Sequence, residues 1–285
     1  DWALAAQRSY LEAFKDAGFA HVRIPTTWDN HVATTAPYTV NAARMDRTEE
    51  VVDWALAQGG YVILNMHHEA WLKTNYTNSA NQARFEAIWQ QITERFQNKS
   101  ARLQFEILNE PNGMTVAQAD DANDRILPII RAINPDRLVV FSGNGFTPID
   151  ALESAAVPDI NDDYLIGNFH SYDPWPFAGQ CTRNWGTQQD HEELEAIYDR
   201  AQAWSQTHGI PVTVNEFGAA KFDFTAPSNI CDESDRIDYL SAHVEYAMER
   251  GIGISYWDDG GSFSSYDREN NTWDAIKDTL VAENP

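Results

Sequence analysis

Seven short apolar runs, rich in β-branched and aromatic residues, alternate along the chain with longer amphipathic stretches. Runs of this length predict buried strands, and the stretches between them have helical periodicity. Repeated strand–helix units indicate a parallel sheet covered by helices, which restricts the fold class more than any other feature. The predicted strands are Phe19–Ile24, Tyr61–Met66, Leu103–Asn109, Arg137–Ser142, Tyr164–His170, Pro211–Glu216 and Gly251–Trp257.

The pattern predicts eight helices against these seven strands. The helices are Ala3–Ala17 (with Gly18 as C-cap), Arg47–Gln58, Asn81–Gln97, Val116–Ile133, Ile149–Ala155, Asp190–Thr207, Asp235–Arg250 and Thr272–Val281. An eightfold barrel needs eight strands to close its ladder. We therefore predict an α/β fold, a (β/α)8 TIM barrel whose first strand is missing upstream of residue 1. An open doubly wound sheet is the alternative. Residues 1–285 are expected to form a single domain.

The charge of the chain restricts its partners. It has 43 acidic against 20 basic residues, a net charge of −23 and a pI of about 4.5. Polyanionic partners such as nucleic acid and anionic membranes are therefore not expected. The longest apolar run is far below the ~18 residues of a membrane span. An ordinary acidic extracellular protein and a salt-adapted one both fit this composition.

Polar and aromatic side chains occupy the carboxyl ends of nearly all the predicted strands, where barrels carry their sites. They are Arg23, His67, His68, Asn109, Glu110, His170, Tyr172, Glu216 and Trp257. Glu110 and Glu216 each end a strand as part of an Asn-Glu pair. Two strand-end carboxyl groups are what glycoside hydrolysis needs, one as proton donor and the other as nucleophile or base.

The remaining strand-end residues suit supporting tasks. A nearby Arg23 and the hydroxyl of Tyr172 would keep a nucleophilic carboxylate ionised. His170 is suited to tuning the acid or contacting substrate, and Trp257 offers a flat apolar face to a sugar ring. No metal is expected, because neighbouring residues on a strand, such as His67 and His68, point to opposite faces. No phosphate-binding glycine loop is present, so no cofactor is expected.

The sequence resembles the family 5 glycoside hydrolases of the large retaining (β/α)8 clan over nearly its whole length. The motifs that carry this resemblance are Gly18-Phe19, Val22–Pro25, Asn65–Glu69, Asn109–Pro111, His170–Tyr172, Asn215–Gly218 and Tyr256-Trp257. The resemblance implies that Glu110 is the acid/base and Glu216 the nucleophile. It also implies that Asn109 binds the sugar 2-hydroxyl and that Arg23 holds Glu216 ionised. His67, His68, His170, Tyr172 and Trp257 would line the subsite where the bond breaks.

The family's first strand, with an Asn-Leu-Gly-Asn-like segment, has no counterpart in this sequence. Six aromatic residues in loops after strands are expected to stack on sugars along a cleft: Trp28, Trp71, Tyr76, Trp175, Trp185 and Phe263. Cys181 and Cys231 fall in loops that would be neighbours around a barrel. A disulfide between them is therefore expected in an oxidising compartment, and two separate thiols are the alternative.

The resemblance, which is greatest to the endo-β-1,4-glucanase branch, therefore implies a glycoside hydrolase catalytic domain, a retaining endo-acting enzyme that cleaves β-1,4 or mixed β-1,3-1,4 glucan. A β-mannanase or xyloglucanase of the same family and a non-catalytic carbohydrate-binding barrel are the alternatives. The expected partner is a neutral β-glucan, with no nucleic acid and no membrane. A secreted or periplasmic monomer is expected, unless a neighbouring molecule supplies the missing strand.

Overall fold

The computed structural model describes residues 4–281. Seven strands form one sheet in the order of the chain, β1 to β7. Within it, every described pairing between neighbouring strands is parallel. The strands are β1 (His21–Thr26), β2 (Tyr61–Met66), β3 (Leu103–Glu106), β4 (Val139–Ser142), β5 (Leu165–Ser171), β6 (Val212–Phe217) and β7 (Gly253–Tyr256). All seven strands predicted from the sequence are present, and β1 and β7 are the two edges of the sheet as described.

Helices connect the strands. The longer ones are α1 (Arg8–Ala17), α2 (Ala42–Ala57), α4 (Ser79–Phe96), α5 (Val116–Ile133), α8 (Gln188–His208) and α9 (Glu233–Glu249). The shorter ones are α3 (Ala70–Lys73), α6 (Ile149–Ser154), α7 (Trp175–Ala178) and α10 (Lys277–Leu280), with a 3-10 turn at Asp29–His31. In the described residues, no helix has both the length and the apolar character needed to cross a membrane.

The helix boundaries follow local signals in the sequence. Gly18 ends α1 with a left-handed backbone, φ 106°, and its N–H donates to the carbonyls of Lys15 and Phe14. Thr115 begins α5 with a capping box, in which its side chain accepts from the N–H of Gln118 while the Gln118 side chain bonds back. Because such caps satisfy the free groups at helix ends, the predicted boundaries of α5 match the observed ones.

The end of the described chain differs from the prediction. A two-stranded antiparallel hairpin, β8 (Tyr266–Asp267) with β9 (Thr272–Trp273), precedes the single turn of α10. The predicted helix over Thr272–Val281 is therefore wrong in its first half. Asn271 at the hairpin has a positive φ of 54°, which suits a turn and interrupts a helix.

The chain divides into two compact units, which we call the central unit (Ala20–Phe169) and the terminal unit (Asp1–Phe19 with His170–Pro285). The central unit contains β1 to β4 and most of β5, with β2, β4 and β5 almost wholly buried. Buried parallel strands read as continuous apolar runs, which explains why they were visible in the sequence.

In the terminal unit, aromatic side chains join α1 to the hairpin. The ring of Phe14 packs edge-on against Tyr266 at 5.5 Å, and Phe19 stacks on Trp273 at 5.6 Å. These contacts cover the apolar face of α1, whose Tyr10 and Leu11 are buried.

Candidate active site

In the central unit, a buried ion pair joins the middle of β1 to the end of β3. The guanidinium of Arg23 donates from Nε to Glu106 Oε2 at 2.7 Å and from Nη2 to Glu106 Oε1 at 2.6 Å. The side chains of Arg23 and Glu106 are 5% and 0% exposed. Nη2 also donates to Asn109 Oδ1 at 2.6 Å. Arg23 and Asn109, both predicted site residues, thus lie together.

Glu106 is a residue that the sequence reasoning missed. It sits inside an apolar run whose pattern predicts only a strand. A glutamate is rarely fully buried unless it is paired, so a charged residue within such a run was the available signal. Two-point pairing with an arginine fork fixes both side chains in one orientation.

His67 and His68 follow the last residue of β2. His67 is buried and His68 is exposed, and their rings meet edge-on with centroids 4.2 Å apart. The expectation that the two rings point to opposite faces is wrong, because both residues lie beyond Met66, where the extended geometry of the strand has ended. His67 Nδ1 lies 3.2 Å from the side-chain nitrogen of Asn65.

Glu69 is a second fully buried carboxylate of the central unit. It accepts hydrogen bonds from the backbone N–H of Trp28 and from Nε1–H of Trp71, both at 2.6 Å. Burial raises the pKa of Glu69 to about 7, although these two hydrogen bonds act in the opposite direction. The guanidinium of Arg84 lies over the Trp71 ring at 4.1 Å. Glu69 therefore ties the loop after β1 to the loop after β2.

The six loop aromatics differ in exposure from what the sequence led us to expect. Trp28 is fully buried, so the expectation of an open stacking face is wrong there. Its backbone N–H donates to the buried carboxylate of Glu69. Tyr76, Trp185 and Phe263 are also buried, Trp71 is half-buried, and Trp175 is 40% exposed.

Glu110 follows β3 and is half-buried. Its backbone has φ 36°, in the left-handed region, and it is followed by Pro111. Glutamate rarely adopts this conformation, and the residue before a proline normally prefers extended geometry. Backbone strain of this kind concentrates at functional sites, where the surrounding structure holds it. The strain makes Glu110 a stronger functional candidate than its position in the sequence alone.

In the terminal unit, the end of β6 carries Glu216. Its carboxylate is buried and accepts a hydrogen bond from the Tyr172 hydroxyl at 3.0 Å. Nδ1 of His170 lies 3.6 Å from the same carboxylate oxygen. Three residues predicted from the sequence are thus brought together at the ends of β5 and β6.

An aromatic group lies beside this carboxylate. The exposed Trp175 stacks on Phe263 with centroids 6.5 Å apart and an interplanar angle of 20°. Tyr172 meets both rings edge-on. Trp257 follows β7, is half-buried, and donates its backbone N–H to the carbonyl of Phe217. The terminal unit thus offers an exposed indole next to the Tyr172–Glu216 pair.

The structure joins Cys181 and Cys231 in a disulfide, with their Cα atoms 4.6 Å apart. Cys181 lies after α7 and Cys231 just before α9, so the bond ties together the loops that follow β5 and β6. The N–H of Cys231 also donates to the carbonyl of Lys221 at 3.0 Å. This cross-link holds the segment that follows Trp175.

Residues 2–262 match the family model described as cellulase, glycosyl hydrolase family 5. The chain belongs to this family. Endoglucanase H of Acetivibrio thermocellus is 42% identical over 280 residues, which cover 96% of this chain and 30% of that protein. Endoglucanase B of Paenibacillus lautus is 31% identical over 269 residues, covering 87% of this chain and 47% of the relative. The chain thus spans less than half the length of either relative.

Solved structures agree with the family. Cel5A of Thermotoga maritima, solved as a mutant form with cellobiose, is 29% identical. It matches with a TM-score of 0.91 over 99% of this chain and 91% of that one. The predicted TIM-barrel fold class is therefore confirmed, with seven parallel strands present in the described part of the chain.

Proposed function

We propose that this chain is a retaining endo-acting glycoside hydrolase that cleaves β-1,4-glucan, with Glu110 as acid/base and Glu216 as nucleophile. The observation that carries the proposal is the Glu216 carboxylate, which is buried at the end of β6 and accepts the Tyr172 hydroxyl at 3.0 Å. Membership of a glycosyl hydrolase family and the endoglucanase relatives support the reaction class.

In this proposal the two carboxyl groups act in sequence. Glu110 protonates the leaving oxygen while Glu216 attacks the anomeric carbon, forming a covalent glycosyl–enzyme. A water molecule, losing a proton to Glu110, then attacks the anomeric carbon and the bond to Glu216 breaks, which releases the sugar with its original anomeric configuration. Double displacement of this kind requires carboxyl groups about 5–5.5 Å apart. Asn109, His67, His68, His170, Tyr172 and Trp257 are proposed to surround the sugar at the point of cleavage.

The substrate is proposed to be a neutral glucan outside the cell. A net charge of −23 disfavours anionic polymers, and the disulfide suits an oxidising compartment. Mixed β-1,3-1,4 glucan is proposed as a further substrate. β-Mannan is a second candidate, since the Thermotoga maritima Cel5A has also been solved with mannotriose.

The test is the release of reducing ends from soluble cellulose, barley mixed-linkage glucan, xyloglucan and mannan, with Glu216→Gln as the inactive control. We expect wild-type activity on cellulose or barley glucan to exceed that on mannan, with the product first formed in the β configuration by proton NMR. Faster hydrolysis of mannan would overturn the glucanase assignment. Products of inverted configuration would overturn the retaining mechanism, and binding of glucan without hydrolysis would favour a carbohydrate-binding barrel.

A further inference from the structure

The central unit contains a connected set of buried polar groups, one of which is the candidate sugar-binding residue His67. Glu106, Asn65 and His67 are 0%, 1% and 3% exposed. Asn65 Nδ2 lies 3.3 Å from Glu106 Oε1 and 3.2 Å from His67 Nδ1. Buried polar groups of this kind keep their hydrogen-bond partners, so the direction of each bond is defined by the chemistry of its neighbours.

The Asn65 amide has its orientation fixed from two sides. The backbone N–H of Thr26, which only donates, points at Asn65 Oδ1 at 3.3 Å. The carboxylate of Glu106, which is paired with Arg23, only accepts. The Asn65 NH2 group must therefore face Glu106 and His67, and the reversed amide would place donor against donor and acceptor against acceptor.

The proton position on His67 follows from the Asn65 amide. Since Asn65 Nδ2 is a donor, His67 Nδ1 must accept. A neutral imidazole that accepts at Nδ1 carries its proton on Nε2, because one ring nitrogen donates and the other accepts. His67 is thereby defined as a donor at Nε2.

Asn109 is oriented in a parallel way. Its Oδ1 accepts from Arg23 Nη2 at 2.6 Å, and a guanidinium never accepts. The NH2 group of Asn109 is therefore the part of this amide available for donating to a ligand. Arg23 is itself held by both carboxylate oxygens of Glu106.

We propose that Glu106 is a positioning residue that holds Asn65 and Arg23 in place, and that through them His67 and Asn109 each present a donor to a sugar hydroxyl. The inference rests on the proposed function, because it specifies how that same site recognises its substrate. Donors at both positions select ligand groups with free lone pairs. One carboxylate thus determines two contacts, through Asn65 on one side and Arg23 on the other.

The first test is Glu106→Gln, read by 15N NMR of the imidazole nitrogens, with the His67 signals assigned by their loss in His67→Asn. In the wild type we expect the proton on Nε2. In Glu106→Gln an NH2 group replaces one of the two oxygens that accept from Arg23, so a donor faces the guanidinium and the paired contact is broken. Asn65 loses its fixed acceptor with it, and the single tautomer of His67 should be lost. Turnover of 4-nitrophenyl cellobioside should fall on the order of 10–100-fold in kcat/KM, the size expected for a displacement of a contact by about 1 Å.

A second variant, Asn65→Leu, covers the case in which Glu106→Gln does not fold, because it keeps the pair between Arg23 and Glu106 and removes only the amide that donates to His67. The single tautomer of His67 should be lost, and kcat/KM should again fall on the order of 10–100-fold. Wild-type kcat/KM together with a lost tautomer would overturn the proposal, as would a wild-type His67 protonated on Nδ1.

The control is Asp190→Asn, which removes a buried carboxylate from the capping box of α8 in the terminal unit. It should lower the melting temperature without changing the His67 signals or kcat/KM. A change of the His67 tautomer in this control would count against the specific role of Glu106. The NMR readout needs no substrate, so a wild-type protein inactive on every glucan would overturn the proposed function alone.

Discussion

The two compact units each bury a carboxylate at a strand end, but they hold it differently. Glu106 in the central unit is gripped at both oxygens by the Arg23 guanidinium. Glu216 in the terminal unit accepts from the Tyr172 hydroxyl and lies beside His170. A guanidinium supplies a full positive charge, whereas a phenol donates a hydrogen bond without one. The two carboxylates are thus alike in burial and differ in the charge of the group that holds them.

The largest effect should come from Glu216→Gln. Removing the proposed nucleophile should lower kcat by roughly 10⁵–10⁶-fold, the size seen when a covalent nucleophile is removed. Circular dichroism and glucan binding should stay near wild type, because the amide keeps the shape of the side chain. If Glu106→Gln lost as much activity as Glu216→Gln, the proposal that Glu216 is the nucleophile and Glu106 only a positioning residue would fail.

Glu110→Gln should act selectively, according to the leaving group. We expect a loss of about 10²–10⁴-fold on soluble cellulose, since general acid catalysis contributes that much. An aryl glycoside with a good leaving group needs little protonation and should form the glycosyl–enzyme at a much less reduced rate. Added azide should rescue turnover of the aryl substrate. Equal losses on both substrates, measured by initial rates, would remove Glu110 as the acid.

Glu69→Gln extends the comparison to a buried carboxylate held by two N–H groups. Burial raises its pKa from 4.5 to about 7. Between pH 4.5 and pH 7 the carboxyl group is therefore protonated in the folded state and ionised in the unfolded state. This contribution to stability is complete below the unfolded pKa and is lost as the pH rises through 7. It amounts to about 3 kcal/mol.

The measurement for Glu69 is urea unfolding of wild type and Glu69→Gln at pH 5 and pH 8. The free energy of unfolding of the wild type minus that of the variant should be larger at pH 5 than at pH 8. Taking the difference removes the titration of all the other carboxyl groups. A difference that stays constant between the two pH values would show that Glu69 does not titrate in this range.

Tyr172→Phe should reduce kcat by about 10–100-fold, because a hydrogen bond to a charged group contributes roughly 1.5–3 kcal/mol. KM should change little if the hydroxyl acts on the Glu216 carboxylate rather than on the sugar. Tyr76→Phe is a matched control, since that hydroxyl donates to Asp121 in the central unit. If Tyr76→Phe lowered kcat as much as Tyr172→Phe, the contact between Tyr172 and Glu216 would have no specific role in turnover.

Trp175→Ala should have the smallest effect. The ring is 40% exposed and is proposed to stack on a sugar. If that contact is worth as much as an aromatic pair, about 0.5–1.5 kcal/mol, its loss should raise KM for a glucan roughly 2–10-fold. kcat should be unchanged. Phe224→Ala removes another exposed aromatic of the terminal unit and should leave KM as it was. An unaltered KM in Trp175→Ala would exclude this ring from substrate binding.

The fold could be predicted from the sequence where the signal was local. Continuous apolar runs marked the buried strands, and the cap at Gly18 and the capping box at Thr115 marked helix ends. The segment after Asn271 could not be predicted in the same way. Its short hairpin is stabilised by packing of Tyr266 and Trp273 against Phe14, about 250 residues earlier, and helical periodicity does not report such contacts.

The candidate site shows the same limit. Strand-end positions revealed Glu216 and Tyr172, because the carboxyl ends of parallel strands share one edge. The sequence did not reveal that Glu106 pairs with Arg23 across 83 positions of the chain. Nor did it reveal that Trp28 is buried, since its burial goes with a hydrogen bond from its backbone to Glu69, 41 residues away. Partners of this kind are set by packing of distant elements.

The left-handed backbone at Glu110 has a consequence for how relatives of this chain diverge. A glutamate at φ 36° is maintained against its own conformational preference, and glycine or asparagine adopts such geometry with less strain. If Glu110 is the acid/base, as proposed, selection for that chemistry is what keeps an acidic side chain there. In a lineage that gave up hydrolysis and kept only the barrel, this position should be among the first to drift, and toward those two residues. A glycine or asparagine before the proline would thus indicate a relative that has lost hydrolytic activity.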